Sequence, residues 1–315
     1  MSGRGIAAIR SISVPDLLSS VAWHPSGELI SGGGYEANGV EEAWLYTWDA
    51  ASGKLGQAVP GHGGPITCVA VSPDGTLLAS AGYDHQVHVW AMPSFTRLHT
   101  LTGHTGPVHA LAFTPNGRLL ISGGDIATCI VWELATWQEV MRLKDTKSYA
   151  ICSLALTPDG QRLVCGRDGG NITVWDPATG RHVVTLTDEF EWVFGLAISP
   201  NGALLASGGE SEVVTVWDML TLQPIVQLLG HRKWLGNAAD PNTIRTLAFH
   251  PQIPLLASGA DDGTVQLWST KSGERVAVLE HPAGVSSVAF SPDGGVLVSA
   301  CDARTLTWWD LGALL

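Results

Sequence analysis

Tryptophan recurs at one near-constant interval: Trp48, Trp90, Trp132, Trp175, Trp217, Trp268 and Trp309, separated by 42, 42, 43, 42, 51 and 41 residues. A period of about 40 to 50 residues marks an array of supersecondary units, none of which can bury its apolar face alone. One further unit counted back from Trp48 begins near Ile6, so the array accounts for residues 1–315 and predicts a single domain.

Within a unit the pattern is strand, turn, strand, tight turn, strand. In the second unit Ile66 to Ser72 leads into Pro73-Asp74-Gly75, Leu77 to Ser80 follows, and Tyr83-Asp84-His85 turns into Gln86 to Trp90, where polar and apolar residues alternate as in a half-buried strand. The first turn repeats as His24-Pro25-Ser26-Gly27, Thr114-Pro115-Asn116-Gly117, Thr157-Pro158-Asp159-Gly160, Ser199-Pro200-Asn201-Gly202 and Ser291-Pro292-Asp293-Gly294. Proline presets φ and glycine accepts positive φ, which makes a sharp hairpin. His250-Pro251-Gln252-Ile253-Pro254 has no glycine and predicts a less regular hairpin.

Composition fits a well-packed body, with 45% hydrophobic and 15% charged residues, and no apolar run approaches the length of a membrane span. The N-terminal apolar patch between Arg4 and Arg10 is too short for a secretory signal, and the five cysteines are scattered through strand-like runs as reduced thiols would be. A cytoplasmic protein is expected.

Gly61-His62, Gly103-His104 and Gly230-His231, with Trp-Asp at 48–49, 175–176, 217–218 and 309–310, resemble the WD-repeat β-propeller family over essentially the whole chain. The resemblance implies an all-β, seven-bladed propeller of four-stranded antiparallel blades. It also implies a hydrogen-bond network in each blade from tryptophan through serine and histidine to aspartate. His62, Ser80, Asp84 and Trp90 complete that set in blade two, and His231, Ser258, Asp262 and Trp268 in blade six. Blade three has His104, Ser122 and Trp132 with Asp125 one residue early, and blade seven misplaces Asp302 in the same way. Blade four has Cys165 for the serine and blade five Glu189 for the histidine, so both are expected to rely mainly on apolar packing.

Every other unit is followed by an outer strand, but the sequence ends soon after Trp309. Residues Ala7 to Ile12 are expected to supply that strand, pairing the N-terminus into the last blade and closing the ring against an exposed sheet edge.

No catalytic constellation stands apart from the repeat, because His62, Ser80, His104, Ser122, His231 and Ser258 already have structural places. Gly32-Gly33-Gly34 lacks the helix and lysine of a phosphate cradle. No local metal motif is present, so neither cofactor nor metal is expected. A net charge of −12 argues against nucleic acid and suits a basic partner.

The long interval before Trp268 places an insertion at His231 to Thr243, and blade one is extended over Gly32 to Ala43. In WD-repeat propellers both loops emerge on the top face. Beside them blade five carries Phe190, Glu191 and Trp192 where blade three has small loop residues. Aromatic and arginine residues anchor protein interfaces. The sequence therefore predicts a non-catalytic scaffold, a subunit of a larger complex, that binds a protein or peptide near blades five and six. Phe190, Trp192 and Trp234 are the expected anchors, with Glu191, Arg232, Lys233 and Arg245 setting register and Tyr83 as a weaker contact. The alternatives are aromatic rings that plug the channel or pack between blades, and an enzyme or small-molecule site at the channel mouth.

Overall fold

The computed structural model describes residues 6–34, 42–125, 128–144, 150–187, 192–231 and 242–314. The described residues form seven four-stranded antiparallel sheets, the blades of a seven-bladed β-propeller. Blade two runs Ile66–Val71, Leu77–Gly82, Gln86–Ala91 and Thr96–Thr102, inner to outer strand, and blade six runs Ile244–Phe249, Leu255–Ala260, Thr264–Ser269 and Arg275–Glu280. In blade two the second and third strands run two residues and one residue past the spans read from the sequence, to Gly82 and Ala91, whereas the inner strand stops at Val71, one residue short of Ser72.

The chain divides into two compact units. One is Ala22–Val193, containing blades two to four and most of blade one; the other is Met1–Val21 with Phe194–Leu315, containing blades five to seven. Within the first, Ala79 and Val87 of blade two pack with Val108, Leu120, Ile130 and Trp132 of blade three. Within the second, Val214 and Val216 of blade five pack with Ile244, Leu256 and Trp268 of blade six. Within each unit blades bury faces on one another, which a single 40-residue repeat cannot do alone, and removing Trp268, 1% exposed, would cost about 3–5 kcal/mol.

Ala8–Ser13 pairs antiparallel with Thr305–Asp310 and forms the outer strand of blade seven, with Ser11 bonded to Thr307 through their hydroxyls at 3.0 Å. Trp308 is 1% exposed, so of the adjacent pair Trp308 and Trp309 both are core residues.

The first turns are held by their own side chains. Ser72 Oγ donates to Asp74 at 2.6 Å and accepts from the Leu77 amide at 2.9 Å, with Gly75 at φ 73°. In blade six the glycine-free turn is built on buried His250, whose Nδ1 accepts from the Gln252 and Ile253 amides and whose Nε2 donates to the Gly294 carbonyl at 3.0 Å. His24 Nε2 donates likewise to the Gly75 carbonyl at 2.7 Å. Each histidine thus ties its blade to the next turn, and a Cβ on Gly294 would lie 2.3 Å from the His250 ring.

Candidate interaction surface

In blade two Trp90 Nε1 donates to Ser80 Oγ at 2.9 Å, Ser80 lies 2.7 Å from His62 Nε2, and His62 Nδ1 donates to Asp84 at 2.9 Å. Blade six repeats this with Trp268 to Ser258 at 2.8 Å, Ser258 to His231 at 2.7 Å and His231 to Asp262 at 3.0 Å. These histidine side chains are fully buried, where each missing partner would cost the full desolvation of the other.

Blades three and seven keep the inner part of the network, His104 to Ser122 and His281 to Ser299 at 2.7 and 2.6 Å. Their displaced aspartates bond elsewhere: Asp125 accepts from His109 Nε2 at 3.0 Å, and Asp302 pairs with Arg245 at 2.9 Å. Blade four departs from the expected reliance on apolar packing. Trp175 donates to Thr173 Oγ1 at 3.0 Å, and buried Arg167 donates to the same oxygen at 3.1 Å, so a threonine two residues before the tryptophan replaces the missing serine. Blade five also retains a bond, Trp217 to Ser207 at 2.8 Å. The signal for blade four was the Thr-Val-Trp spacing, which places Thr173 and Trp175 on one face of the strand.

Tyr83, Asp125, Asp168, Asp261 and Asp302 occupy one equivalent position, the residue that follows the second strand of blades two, three, four, six and seven. In each, the backbone amide donates to the carbonyl just before the inner strand of the same blade: Pro65, Pro107, Ala150, Thr243 and Gly284. This acidic position escaped the sequence reading, in which Asp125 and Asp302 were only misplaced members of a network.

In the unit Ala22–Val193, Tyr83 is 54% exposed and meets the edge of the His109 ring, with centroids 6.1 Å apart. Trp192 is 36% exposed and pairs with Asp168 in an isolated antiparallel bridge. Burial lifts the Asp168 carboxyl above the usual range, and the Asp125 charge lifts it further. In the other unit Arg245 bonds Asp261 and Asp302; burial is the largest influence on Asp261 and leaves it raised despite the guanidinium. Of the predicted contacts, Tyr83, Trp192 and Arg245 are therefore placed. Phe190, Glu191, Arg232, Lys233 and Trp234 lie outside the described residues.

Comparison with known proteins decides the family. The WD domain, G-beta repeat model matches residues 53–91 and 95–133, and the Nucleolar protein 10-like, N-terminal domain model matches 139–310, more than half of the chain. The chain belongs to the WD-repeat β-propeller family. Similar proteins include the serine-threonine kinase receptor-associated protein of Bos taurus, 38% identical over 26% of this chain and 22% of its own length. The eukaryotic translation initiation factor 3 subunit I of Coccidioides immitis is 48% identical over 19% of this chain and 17% of its own length. These alignments span less than a quarter of either relative.

Proposed function

We propose that this WD-repeat protein is a non-catalytic scaffold that holds a basic segment of a protein partner, with contacts at the segments leading into blades five and six. Trp192, 36% exposed and bridged through its backbone to Asp168, whose carboxyl is raised in part by the Asp125 charge, carries this reading. Two carboxylates that repel one another are relieved by a cation, and a guanidinium both pairs with carboxylates and stacks on aromatic rings. Asp261 and Asp302 show the same chemistry already satisfied from within, by Arg245.

The relatives, a receptor-associated protein and a subunit of an initiation factor, support membership of a larger complex. A cytoplasmic location goes with this reading; the nucleolar name of the longer family match makes the nucleolus the competing compartment, which fractionation distinguishes.

Titration of the intact chain with arginine-containing and glutamate-containing peptides tests the surface. Arginine peptides should bind, weaken with salt, and lose at least about tenfold in affinity with Trp192→Ala, as expected for an aromatic anchor. Equal binding of both peptide classes would overturn the proposal.

A further inference from the structure

Blade two differs from every other blade at one position of its network, and the difference is chemical. The residue paired with the network serine across the sheet is His88 in blade two. It is Gln266 in blade six, and Tyr46, Ile130, Thr215 and Thr307 in blades one, three, five and seven; in blade four Thr173 faces Cys165.

His88 brings a second imidazole to the aspartate. Its Nε2 lies 3.8 Å from Asp84 Oδ2, while His62 Nδ1 lies 2.9 and 3.0 Å from the two carboxylate oxygens. The three candidate ligand atoms all fall within 4.8 Å of one another. A distance of 3.8 Å is too long for a hydrogen bond. It is close to the roughly 3.3–3.5 Å between ligand atoms on a tetrahedral ion with bonds of about 2.0–2.2 Å. The two rings lie with centroids 4.2 Å apart and planes tilted by 37°, both turning a nitrogen toward the same carboxylate.

We propose that His62, Asp84 and His88 form a binding site for a divalent transition cation of the zinc class, with its remaining coordination positions open to the adjoining cavity. Two imidazoles and one carboxylate are a donor set suited to such ions, and it leaves one or more positions for water or an anionic ligand.

The surroundings fit this assignment. Thr100 Oγ1 lies 3.0 Å from His88 Nδ1 and fixes the ring so that Nε2 faces Asp84, the kind of outer contact that orients metal-binding histidines. A neutral imidazole offers a lone pair on one ring nitrogen, as ligation requires. Asp84 also accepts from the Gln86 and Gly63 amides at 3.2 and 3.3 Å, which hold its carboxylate in place. The cavity, about 670 Å³, is also lined by Glu42, Gly63, Gln86 and Arg97. Glu42 favours a cation there and Arg97 opposes one.

Ligation requires the His62 proton to leave Nδ1. It moves to Nε2, which then donates to Ser80 Oγ, already the acceptor of Trp90. The ring keeps its contact with Ser80 at the new tautomer, but the Ser80 hydroxyl, which had donated to Nε2, must turn its proton to another acceptor, and the ion takes over the carboxylate.

Calorimetric titration of the full chain with zinc, with cobalt(II) as a visible-absorbing substitute, tests the site. The comparison variant is His88→Gln, which installs the residue that blade six carries. Wild type should take up one zinc, with His88→Gln at least about 100-fold weaker, a loss no smaller than outer-contact mutations produce. The metal-free thermal midpoints should agree, and zinc should raise that of wild type alone. Should His88→Gln fail to fold, Thr100→Val should still weaken binding about tenfold. Zinc uptake and midpoint shifts that match in wild type and variants, or no uptake at all, would overturn the proposal.

Discussion

Asp125 accepts its hydrogen bond from His109 at 3.0 Å, while Asp84 and Asp262 bond the network histidines His62 and His231. One residue of displacement in the turn takes the carboxylate out of the blade's interior network. The two kinds of aspartate should therefore differ in what they contribute. Asp262→Ala leaves the buried His231 N–H only the longer contact to Thr264 Oγ1, at 3.2 Å, and should destabilise the fold by about 1–3 kcal/mol. Asp125→Ala removes a partly exposed pair and should cost less than about 1 kcal/mol. Urea denaturation monitored by tryptophan fluorescence measures both.

Acid should act through buried histidines before it acts through the carboxylates. Burial is the main cause that brings both His88 and His104 down to about 4 from an ordinary 6.5. The unfolded chain takes up protons below about 6.5 that the folded chain refuses until about 4, so this part of the stability is complete above 6.5 and is lost as pH falls across that window. Asp84, held below its ordinary value, adds a loss at lower pH still. Denaturation midpoints between pH 7.5 and 4.5 should decline, and His104→Gln should flatten the decline.

The strand Ala8–Ser13 covers the edge of blade seven that Thr305–Asp310 would otherwise expose. Deleting residues 1–13 should lower the thermal midpoint and promote aggregation. An unchanged midpoint with no aggregation by light scattering would contradict this role.

Glycine substitutions should separate crowding from backbone strain. A Cβ on Gly82 would lie 2.3 Å from the Pro65 carbonyl oxygen, whereas one on Gly117, at φ 64°, meets nothing within 4 Å. Gly117→Ala should cost only the left-handed backbone penalty of about 1–2 kcal/mol. Gly82→Ala, with no positive φ, must instead displace the Pro65 backbone, and its thermal midpoint should fall further.

The blades were legible because the Trp spacing, the Pro-Asp-Gly turns and period-two alternation all report local geometry, and so were the networks of blades two and six. What the sequence concealed depends on pairing across strands. Thr173 stands in for a serine that a column-by-column reading seeks at Cys165, and His88 reaches Asp84 only because the sheet sets it opposite Ser80. Asp125 and Asp302 looked like errors in a network until their backbone bonds placed them at the same position as Asp168 and Asp261.

If this propeller is a platform, Trp192 anchors its partner. Affinity capture from the host lysate should be run with the intact chain and with Trp192→Ala, with thermal midpoints measured for both. Wild type should capture one specific set of partners, Trp192→Ala should lose it, and the two midpoints should agree. Identical partners in both, or a Trp192→Ala chain that loses them only because it has unfolded, would contradict it.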